Sequence, residues 1–212
     1  HVETDINTWH FYINGYKEVK AHIEKVVKNT FPGSRFNCAG KNTQSDAPLM
    51  NSECGMVWGV DGSAGDSDIA WQYRYMLNEF RLHDKINGFV FTEFHDVVNE
   101  FNGYYRIDDA DKDFGYEGFC RGMKIRDLHA ADFLALDCPP CRTVKAGARV
   151  KVPCALSSFG EHTRLKAKWE LWHDAPEGRV FDGNGECSIG RHGVGRTDLE
   201  PIALKMPAEN CV

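Results

Sequence analysis

The sequence has no apolar run that approaches the roughly 20 residues a membrane-spanning helix requires. It also lacks internal repeats, low-complexity tracts and a basic start followed by an apolar block, which is the pattern of a secretory signal. Hydrophobic residues make up 42% of the 212 residues and charged residues 26%. This composition is typical of a soluble globular protein with one large or two small domains.

Clusters of Lys and Arg are also missing. The net charge is -6, and the excess lies in residues 1–125, with 13 basic and 19 acidic side chains, whereas residues 126–212 carry 12 of each. An acidic first part without a basic patch argues against nucleic acid and anionic membrane as partners. The first residue is His1, not Met. We therefore expect a fragment or a processed product. The sequence does not distinguish an exported or periplasmic protein from a cytoplasmic one.

Cysteines are eight in number, but only Cys138-Pro139-Pro140-Cys141 has short spacing. A thioredoxin-like redox pair lies between a strand and a helix. Here a strand-like run, Phe133–Leu136, precedes the motif and polar turn residues follow it. The pattern favours a stiff connector, and a redox protein that uses Cys138 and Cys141 stays open as an alternative.

Strand-like and helix-like segments alternate in the first part of the chain. Ile6–Tyr12, Pro48–Ser52 and Phe89–Phe91 are predicted strands because they are apolar or rich in β-branched and aromatic residues. Apolar residues recur at helical spacing from Tyr16 to Val27 and again from Ile69 to Phe80. Short strands separated by long crossovers predict an α/β fold, as a parallel sheet or barrel.

The pattern changes near residues 120–132, where we expect a domain boundary. Arg149–Leu156 and Leu165–Trp172 alternate between apolar and polar residues, and Ile202, Leu204 and Met206 form a third apolar face. Such alternation predicts an antiparallel β-sandwich. A sandwich of this kind usually needs about seven strands, so this one is expected to be incomplete.

Reactive side chains follow the three predicted strands of the first part. In parallel α/β folds, such residues meet at the carboxyl ends of the strands. Aromatic rings stack on sugar faces, while carboxylates and His bind hydroxyls, so these ends predict a site for a polyhydroxylated ligand. The candidates are Trp9, His10 and Tyr12; Asn51, Ser52, Glu53 and Cys54; and Thr92, Glu93, His95 and Asp96.

Glu53 is the sharpest candidate because it follows a buried strand and opens a glycine-rich loop. From its position alone, Glu53 could instead cap the next helix or be an ordinary solvated acid. For Glu93 the alternative is a structural ion pair with Arg106 or Lys112. Cys54 as a nucleophile would need a His base.

The two histidines near these strand ends, His10 and His95, have alternatives of their own. His10 alone could be a core histidine. Together with nearby acids they could bind a metal, but no short ligand spacing supports a metal site, and none is predicted.

The order of three segments resembles glycoside hydrolase family 2, which includes β-galactosidases, β-glucuronidases and β-mannosidases. They are Asp5-Ile6-Asn7-Thr8-Trp9-His10-Phe11-Tyr12, Pro48-Leu49-Met50-Asn51-Ser52-Glu53-Cys54-Gly55 and Gly88-Phe89-Val90-Phe91-Thr92-Glu93. The run from Asn102 to Asp108, with Lys112 to Tyr116, looks like the segment that closes the family's barrel. The resemblance covers residues 1–125. More weakly, residues 126–212 are similar to the immunoglobulin-like sandwich that follows the barrel.

The resemblance implies that residues 1–125 hold strands six to eight of a (β/α)8 TIM barrel. Glu53 matches the nucleophile of a retaining β-glycosidase, and Tyr12 matches the tyrosine that hydrogen-bonds it. The acid/base glutamate would lie upstream of this chain, so the isolated chain is expected to be inactive. Substrate contacts are expected from Trp9, His10, Asn51, Trp58, Glu93 and His95.

The implied partner is a β-linked glycoside or oligosaccharide, and the chemistry requires no cofactor. Homo-oligomerisation of the longer parent stays open. The alternative from another class is a carbohydrate-binding or structural module without activity. Since three strands cannot close a barrel, unpaired edges and apolar faces predict low solubility or association with missing segments.

Overall fold

A computed structural model describes residues 2, 4–55, 66–98, 100–118, 120–190 and 193–208, with residues 66–68 described in their backbone only. The chain divides into two compact units, His1–Ala130 and Ala131–Val212. The division into residues 1–125 as barrel and 126–212 as sandwich stays a prediction about what these units are. None of the described helices is long and apolar enough to cross a membrane.

The first unit alternates strands and helices, as the sequence predicted. Its elements are β1 (Asn7–Tyr12), α1 (Tyr16–Asn29), β2 (Leu49–Gly55), α2 (Asp66–Arg81) and β3 (Ile86–Phe91). Short 3-10 segments follow at Tyr116–Gly118 and Ile125–His129. The strands form one sheet in the order β1-β2-β3, and both pairings are parallel. The predicted parallel sheet is therefore confirmed.

Helix α1 starts where the chain needs a left-handed residue. Gly15 has φ 96°, and a Cβ at this position would lie 2.2 Å from an oxygen of Glu18. Glu18 in the first turn and Lys28 in the last turn have the charges that the helix dipole favours. The helix ends at Asn29, just before Phe31-Pro32-Gly33, where the proline cannot continue it.

The core of the first unit lies between the two helices and one face of the sheet. The predicted helix faces are buried, and Ile23, Tyr73 and Met76 are each 0% exposed. The ring of Phe80 in α2 packs edge-on against Trp9 and Phe11 of β1, with centroids 6.0 Å away in both cases. These ring contacts hold β1 against α2.

The second unit is entirely antiparallel. Its seven strands are β4 (Asp132–Leu136), β5 (Arg149–Val152), β6 (Cys154–Ser158), β7 (Leu165–Ala175), β8 (Gly178–Ile189), β9 (Gly195–Asp198) and β10 (Ile202–Lys205). They pair as β4-β6-β9, β5-β10 and β7-β8. The seven described strands equal the number that a sandwich usually needs, and they form three separate sheets. That the sandwich is incomplete stays a prediction.

The predicted single strand Arg149–Leu156 is corrected, because it divides at Pro153. Proline has no N–H to donate to a ladder. Before it, β5 pairs with β10, and after it β6 pairs with β4 and β9. All five residues of β6 are buried, as befits a central strand, so the predicted alternation ends at Pro153.

The Cys-Pro-Pro-Cys motif lies in a loop. Residues 137–148 contain no helix, and the chain passes from Cys141 into β5. The strand-to-helix setting that a thioredoxin-like pair uses is therefore missing in this described stretch. The connector interpretation of Cys138 and Cys141 fits this geometry.

Candidate functional site

A bulge in β2 determines where Glu53 points. Trp9 pairs with Asn51, but the next residue of β1, His10, pairs with Glu53, so Ser52 is an extra residue without a partner across the strand. The pairing with β3 shows the same shift, since Asn51 opposes Phe89 and Cys54 opposes Phe91. Side chains alternate between the faces of a strand, and one extra residue reverses the alternation.

The consequence of the bulge is visible in the exposure of β2. Without the extra residue, Glu53 would point the same way as Asn51, which is 0% exposed on the helix-covered face. With it, the Glu53 side chain is 40% exposed, opposite His10 at 57%. The bulge therefore brings the carboxylate to the face that carries His10.

Two residues of β1 contact the Glu53 carboxylate. The Tyr12 hydroxyl donates a hydrogen bond of 2.5 Å to Glu53 Oε1. Nδ1 of His10 lies 3.5 Å from Oε2. Burial raises the pKa of the Tyr12 hydroxyl, and the bond to Glu53 raises it further. Tyr12 therefore stays protonated at neutral pH and donates a hydrogen bond that orients the carboxylate.

The Tyr12 ring sits close to Gly55 because that residue has no side chain. A Cβ on Gly55 would lie 2.6 Å from Asn102 Nδ2 and 2.8 Å from Tyr12 Cε1. Thr92, at the end of β3, also hydrogen-bonds the Tyr12 hydroxyl. Thr92 was among the strand-end candidates, whereas the roles of Gly55 and Asn102 were missed. The available signal was their place in the segments that resemble the family, Gly55 at the end of the second segment and Asn102 at the start of the run that looks like the barrel's closing region.

A buried ion pair holds the loop that follows β3. Lys112 donates to Asp96 at 2.6 Å, with both side chains at most 5% exposed. Asp96 Oδ1 also accepts a bond of 3.0 Å from the Gly103 N–H. Asp96 is therefore structural. The ion pair between Glu93 and Lys112 that the sequence left open is replaced by the pair of Lys112 with Asp96.

Glu93 and His95 lie on this loop, and their described neighbours do not include Glu53. The peptide bond between Thr92 and Glu93 is cis. Oε1 of Glu93 is buried and has no hydrogen-bond partner among the described residues. Burial raises the pKa of the Glu93 carboxyl, and the nearby charges of Glu100 and Asp96 raise it further. Nε2 of His95 lies 3.9 Å from Asp109 Oδ1.

Trp9 and Asn51 are buried in the sheet, which corrects their predicted roles. Trp9 is 6% exposed and packs on Phe80, and Asn51, at 0%, donates to the Trp9 carbonyl at 3.0 Å. Both side chains tie β1, β2 and α2 together, so neither is placed for the ligand contact that the sequence predicted. Trp58 lies outside the described residues.

Cys54 is not an accessible nucleophile. Its side chain is 0% exposed, and the thiol donates to the Val90 carbonyl at 3.5 Å. Burial raises the pKa of the thiol, and the charge of Glu53 raises it further. A thiol in this environment stays protonated and unreactive.

A metal site would require at least three clustered ligands. The described residues contain no group of three or more His, Cys, Asp or Glu side chains that could hold a metal ion. The described cluster at the strand ends consists of a carboxylate, a phenol that donates to it and an imidazole beside it.

Comparisons with known proteins give a limited likeness. No protein-family profile matches the chain, and no curated protein is similar to it. Similar solved structures include Bacteroides uniformis β-glucuronidase 2 covalently bound to cyclophellitol-6-carboxylate aziridine, at 13% identity and a TM-score of 0.36. A calcium binding mutant of that protein is 14% identical, with a TM-score of 0.37. A structure of Bacteroides uniformis β-glucuronidase is 13% identical, with a TM-score of 0.35.

These similarities cover 96% of this chain but 26% of each of those chains. The chain thus spans about a quarter of their length. TM-scores at this level do not establish a shared fold.

Proposed function

We propose that this chain is part of a retaining β-glycoside hydrolase of family 2, with Glu53 as the nucleophile. The observation that carries the proposal is the Tyr12–Glu53 hydrogen bond of 2.5 Å, formed where the bulge turns Glu53 to the accessible face. A carboxylate nucleophile has to be oriented and reachable. The hydrogen bond from Tyr12 and the 40% exposure of the Glu53 side chain support these two requirements.

In the proposed mechanism, a Glu53 oxygen attacks the anomeric carbon as the bond from that carbon to the leaving oxygen breaks. The leaving oxygen takes a proton from a second carboxylic acid, which leaves a covalent glycosyl–enzyme ester. The same second residue then takes a proton from water, which attacks the anomeric carbon and releases Glu53. Tyr12 binds Oε1 in the free enzyme and orients the carboxylate for attack. The resemblance assigns the second residue to a glutamate upstream of strand six.

The fold proposal is that β1, β2 and β3 are strands six to eight of a (β/α)8 barrel. The consecutive order and parallel pairing support it, because barrel strands follow one another around the ring. Contacts of α2 with β1 place the helix on one face of the sheet, and the opposite face carries His10 and Tyr12. For the second unit we propose an immunoglobulin-like sandwich, supported by its antiparallel pairing.

The proposed substrate is a β-linked glycoside or oligosaccharide, contacted by His10, Glu93 and His95. His10 lies beside Glu53, where it would reach a hydroxyl next to the anomeric carbon. The buried, unpartnered Oε1 of Glu93 supports a contact that only a bound ligand would complete, since buried polar atoms normally have partners.

The test is covalent trapping in the longer parent enzyme. Aryl 2-deoxy-2-fluoro-β-glycosides of galactose, glucose, glucuronic acid and mannose would be incubated with the parent, because the fluorine slows hydrolysis of the ester more than its formation. We expect one glycosyl adduct, on the peptide that contains Glu53, identified by mass spectrometry after digestion. An adduct on another carboxylate would exclude Glu53 as the nucleophile.

The alternative function is a carbohydrate-binding or structural module without activity. It is favoured by the assignment of the acid/base residue to a position outside this chain. A parent that binds the unfluorinated sugars but hydrolyses none of the four aryl β-glycosides would support the module. Hydrolysis by the isolated 212-residue chain would instead show that the proton donor lies within it.

A further inference from the structure

The first unit contains a second cavity, separate from the strand-end cluster. Its volume is about 600 Å³, and its lining residues all fall between Phe94 and His129. The volume lies within the range of about 300–1,000 Å³ that is typical of small-molecule sites. The lining does not include Tyr12, His10 or Glu53. The cavity is therefore a distinct candidate site.

Aromatic rings form much of its wall. Phe94, which is 67% exposed, packs against Tyr105 with centroids 5.2 Å apart. Phe114 stacks on Tyr116 with an interplanar angle of 12°. The exposed ring of Phe94 and the other flat rings of the wall offer surfaces on which the C–H faces of a pyranose stack.

Hydrogen bonds to α2 hold the wall in place. The hydroxyl of buried Tyr73 lies 2.6 Å from both the Tyr104 hydroxyl and His129 Nε2. Tyr116, which is 3% exposed, donates to the Ala70 carbonyl. Tyr104, His129 and Tyr116 all line the cavity. Because these residues are anchored to a buried helix, the cavity is formed before any ligand arrives.

Hydroxyl and imidazole groups make one wall of the cavity polar. Burial lowers the pKa of His129, and the charge of Arg81 lowers it further, so the imidazole ring is neutral at neutral pH. The Tyr73 hydroxyl lies between His129 and Tyr104 and has one proton to donate to one of them. The Tyr104 hydroxyl, which lines the cavity, suits a hydroxyl group on the ligand, because a hydroxyl can donate and accept.

The charges around the cavity are nearly balanced. Lys112 is neutralised by Asp96 at 2.6 Å, which leaves three acids and two bases. These are Asp111, Asp113, Glu117, Lys124 and Arg126. Mixed charges without an excess of one sign give hydrogen-bonding partners for hydroxyls, but no strong field for a polyanion such as a nucleotide.

We propose that this cavity binds a neutral saccharide through stacking on Phe94 and Tyr105 and hydrogen bonds to Tyr104 and the charged rim. The inference goes beyond the proposed hydrolysis and does not depend on Glu53 acting as a nucleophile. A saccharide held here would anchor a polymeric substrate on the same unit that carries the strand-end cluster.

The experiment titrates the full 212-residue chain with cellobiose and with lactose, and follows binding by saturation-transfer NMR and calorimetry. Phe94→Ala and Tyr105→Ala are each expected to weaken binding by at least about tenfold, the loss of roughly 1.4 kcal/mol or more. Phe31→Ala is the matched control, because Phe31 is 53% exposed and lies outside the cavity. Its affinity should equal that of the unchanged chain.

Three outcomes would overturn the proposal. One is that neither disaccharide binds the unchanged chain at tens of millimolar. Another is that 4-nitrophenol binds and the sugars do not, which would make the cavity an apolar site. The third is that Glu53→Gln abolishes sugar binding while Phe94→Ala preserves it. That result would place the sugar at the strand-end cluster and leave the proposed hydrolase standing.

Discussion

The bulge at Ser52 in the first unit and the bulge at Asp182 in the second unit have different consequences. In the parallel sheet, Ser52 is the extra residue of β2, and the shift delivers Glu53 to the accessible face beside Tyr12 and His10. In the antiparallel hairpin, Leu171 pairs with Gly183 but Trp172 with Phe181, so Asp182 is the extra residue of β8. Asp182 binds His173 of β7 at 2.8 Å.

The difference lies in what surrounds each bulge. β2 is the central strand, paired on both sides, with a helix-covered face in which a carboxylate would be buried without a partner. The hairpin pairs only with itself among the described strands, and most of its residues are half-buried or exposed. Register in β2 therefore controls both stability and function, whereas in the hairpin it controls a local contact.

Deleting the extra residues tests this contrast most severely. Removing Ser52 forces either Glu53 into the core or Asn51 and Leu49 out of it, because a one-residue slip exchanges the faces of a strand. We expect the first unit to lose cooperative unfolding in a denaturant titration, since an unpaired buried charge costs several kcal/mol. Removing Asp182 should leave the unfolding of the first unit unchanged. Equal effects of the two deletions would contradict the contrast.

The next largest effect is expected at Glu53 itself. Glu53→Gln in the longer parent should lower turnover of an aryl β-glycoside by at least about a thousandfold, because the amide cannot form the ester intermediate. Azide added to Glu53→Ala should restore product formation as the α-glycosyl azide, detected by NMR. Asp182→Asn, at the other bulge, should retain normal turnover. Normal turnover by Glu53→Gln would remove the nucleophile assignment.

Tyr12→Phe should have a smaller effect on the same reaction. It removes a hydrogen bond to a charged group, which contributes about 1.5–3 kcal/mol and corresponds to a loss of roughly 10- to 150-fold in kcat/KM. The measurement is steady-state kinetics of the parent with the variant. Tyr16→Phe is the control, because Tyr16 packs against Tyr75 in the first unit and has no part in the cluster. A Tyr12→Phe enzyme with full activity would show that the bond does not orient Glu53.

The smallest effect concerns Glu93 and the pH dependence of stability. The raised pKa of its carboxyl in the fold means that the native state binds the proton more tightly than the unfolded chain. Its stabilising contribution is present below the unfolded pKa of about 4.3 and is lost as pH rises through the folded pKa. Glu93→Gln should therefore raise the free energy of unfolding at pH 7 relative to the unchanged chain.

The same substitution should have little effect at about pH 2.5, which lies well below the unfolded pKa, because Glu93 is then protonated in both states. Urea titrations at the two pH values measure the difference. Glu186→Gln in the hairpin, where the Glu186 side chain is 51% exposed, is the control and should show no such pH dependence. If Glu93→Gln instead lowered the free energy of unfolding at pH 7 relative to the unchanged chain, and did not do so at about pH 2.5, the carboxylate would be favourable in the fold.

Much of the first unit could be read from local pattern. Helical spacing predicted the buried faces of α1 and α2 because helix formation depends on nearby residues, and the parallel sheet followed from short strands with long crossovers. Less of the second unit could be predicted from the sequence. β8 and β9 contain glycines and charges in place of clear alternation, so their pairing depends on partners far along the chain. Pro153 was a visible break, but its effect on the sheet arrangement required the neighbouring strands.

For the candidate site, the sequence by itself determined which chemical groups follow β1, β2 and β3, and the resemblance singled out Glu53 and Tyr12. The tertiary structure decided which of these groups meet. The bulge at Ser52 separates Glu53 from Asn51, although both are two residues apart in a strand and strict alternation would place them on one face. Trp9, Asn51 and Cys54 point inward because of their register in the strands. Asp96, on the loop after β3, is held inward by its ion pair with Lys112. The orientation of a strand residue depends on register with its neighbours, and a single sequence does not contain that register.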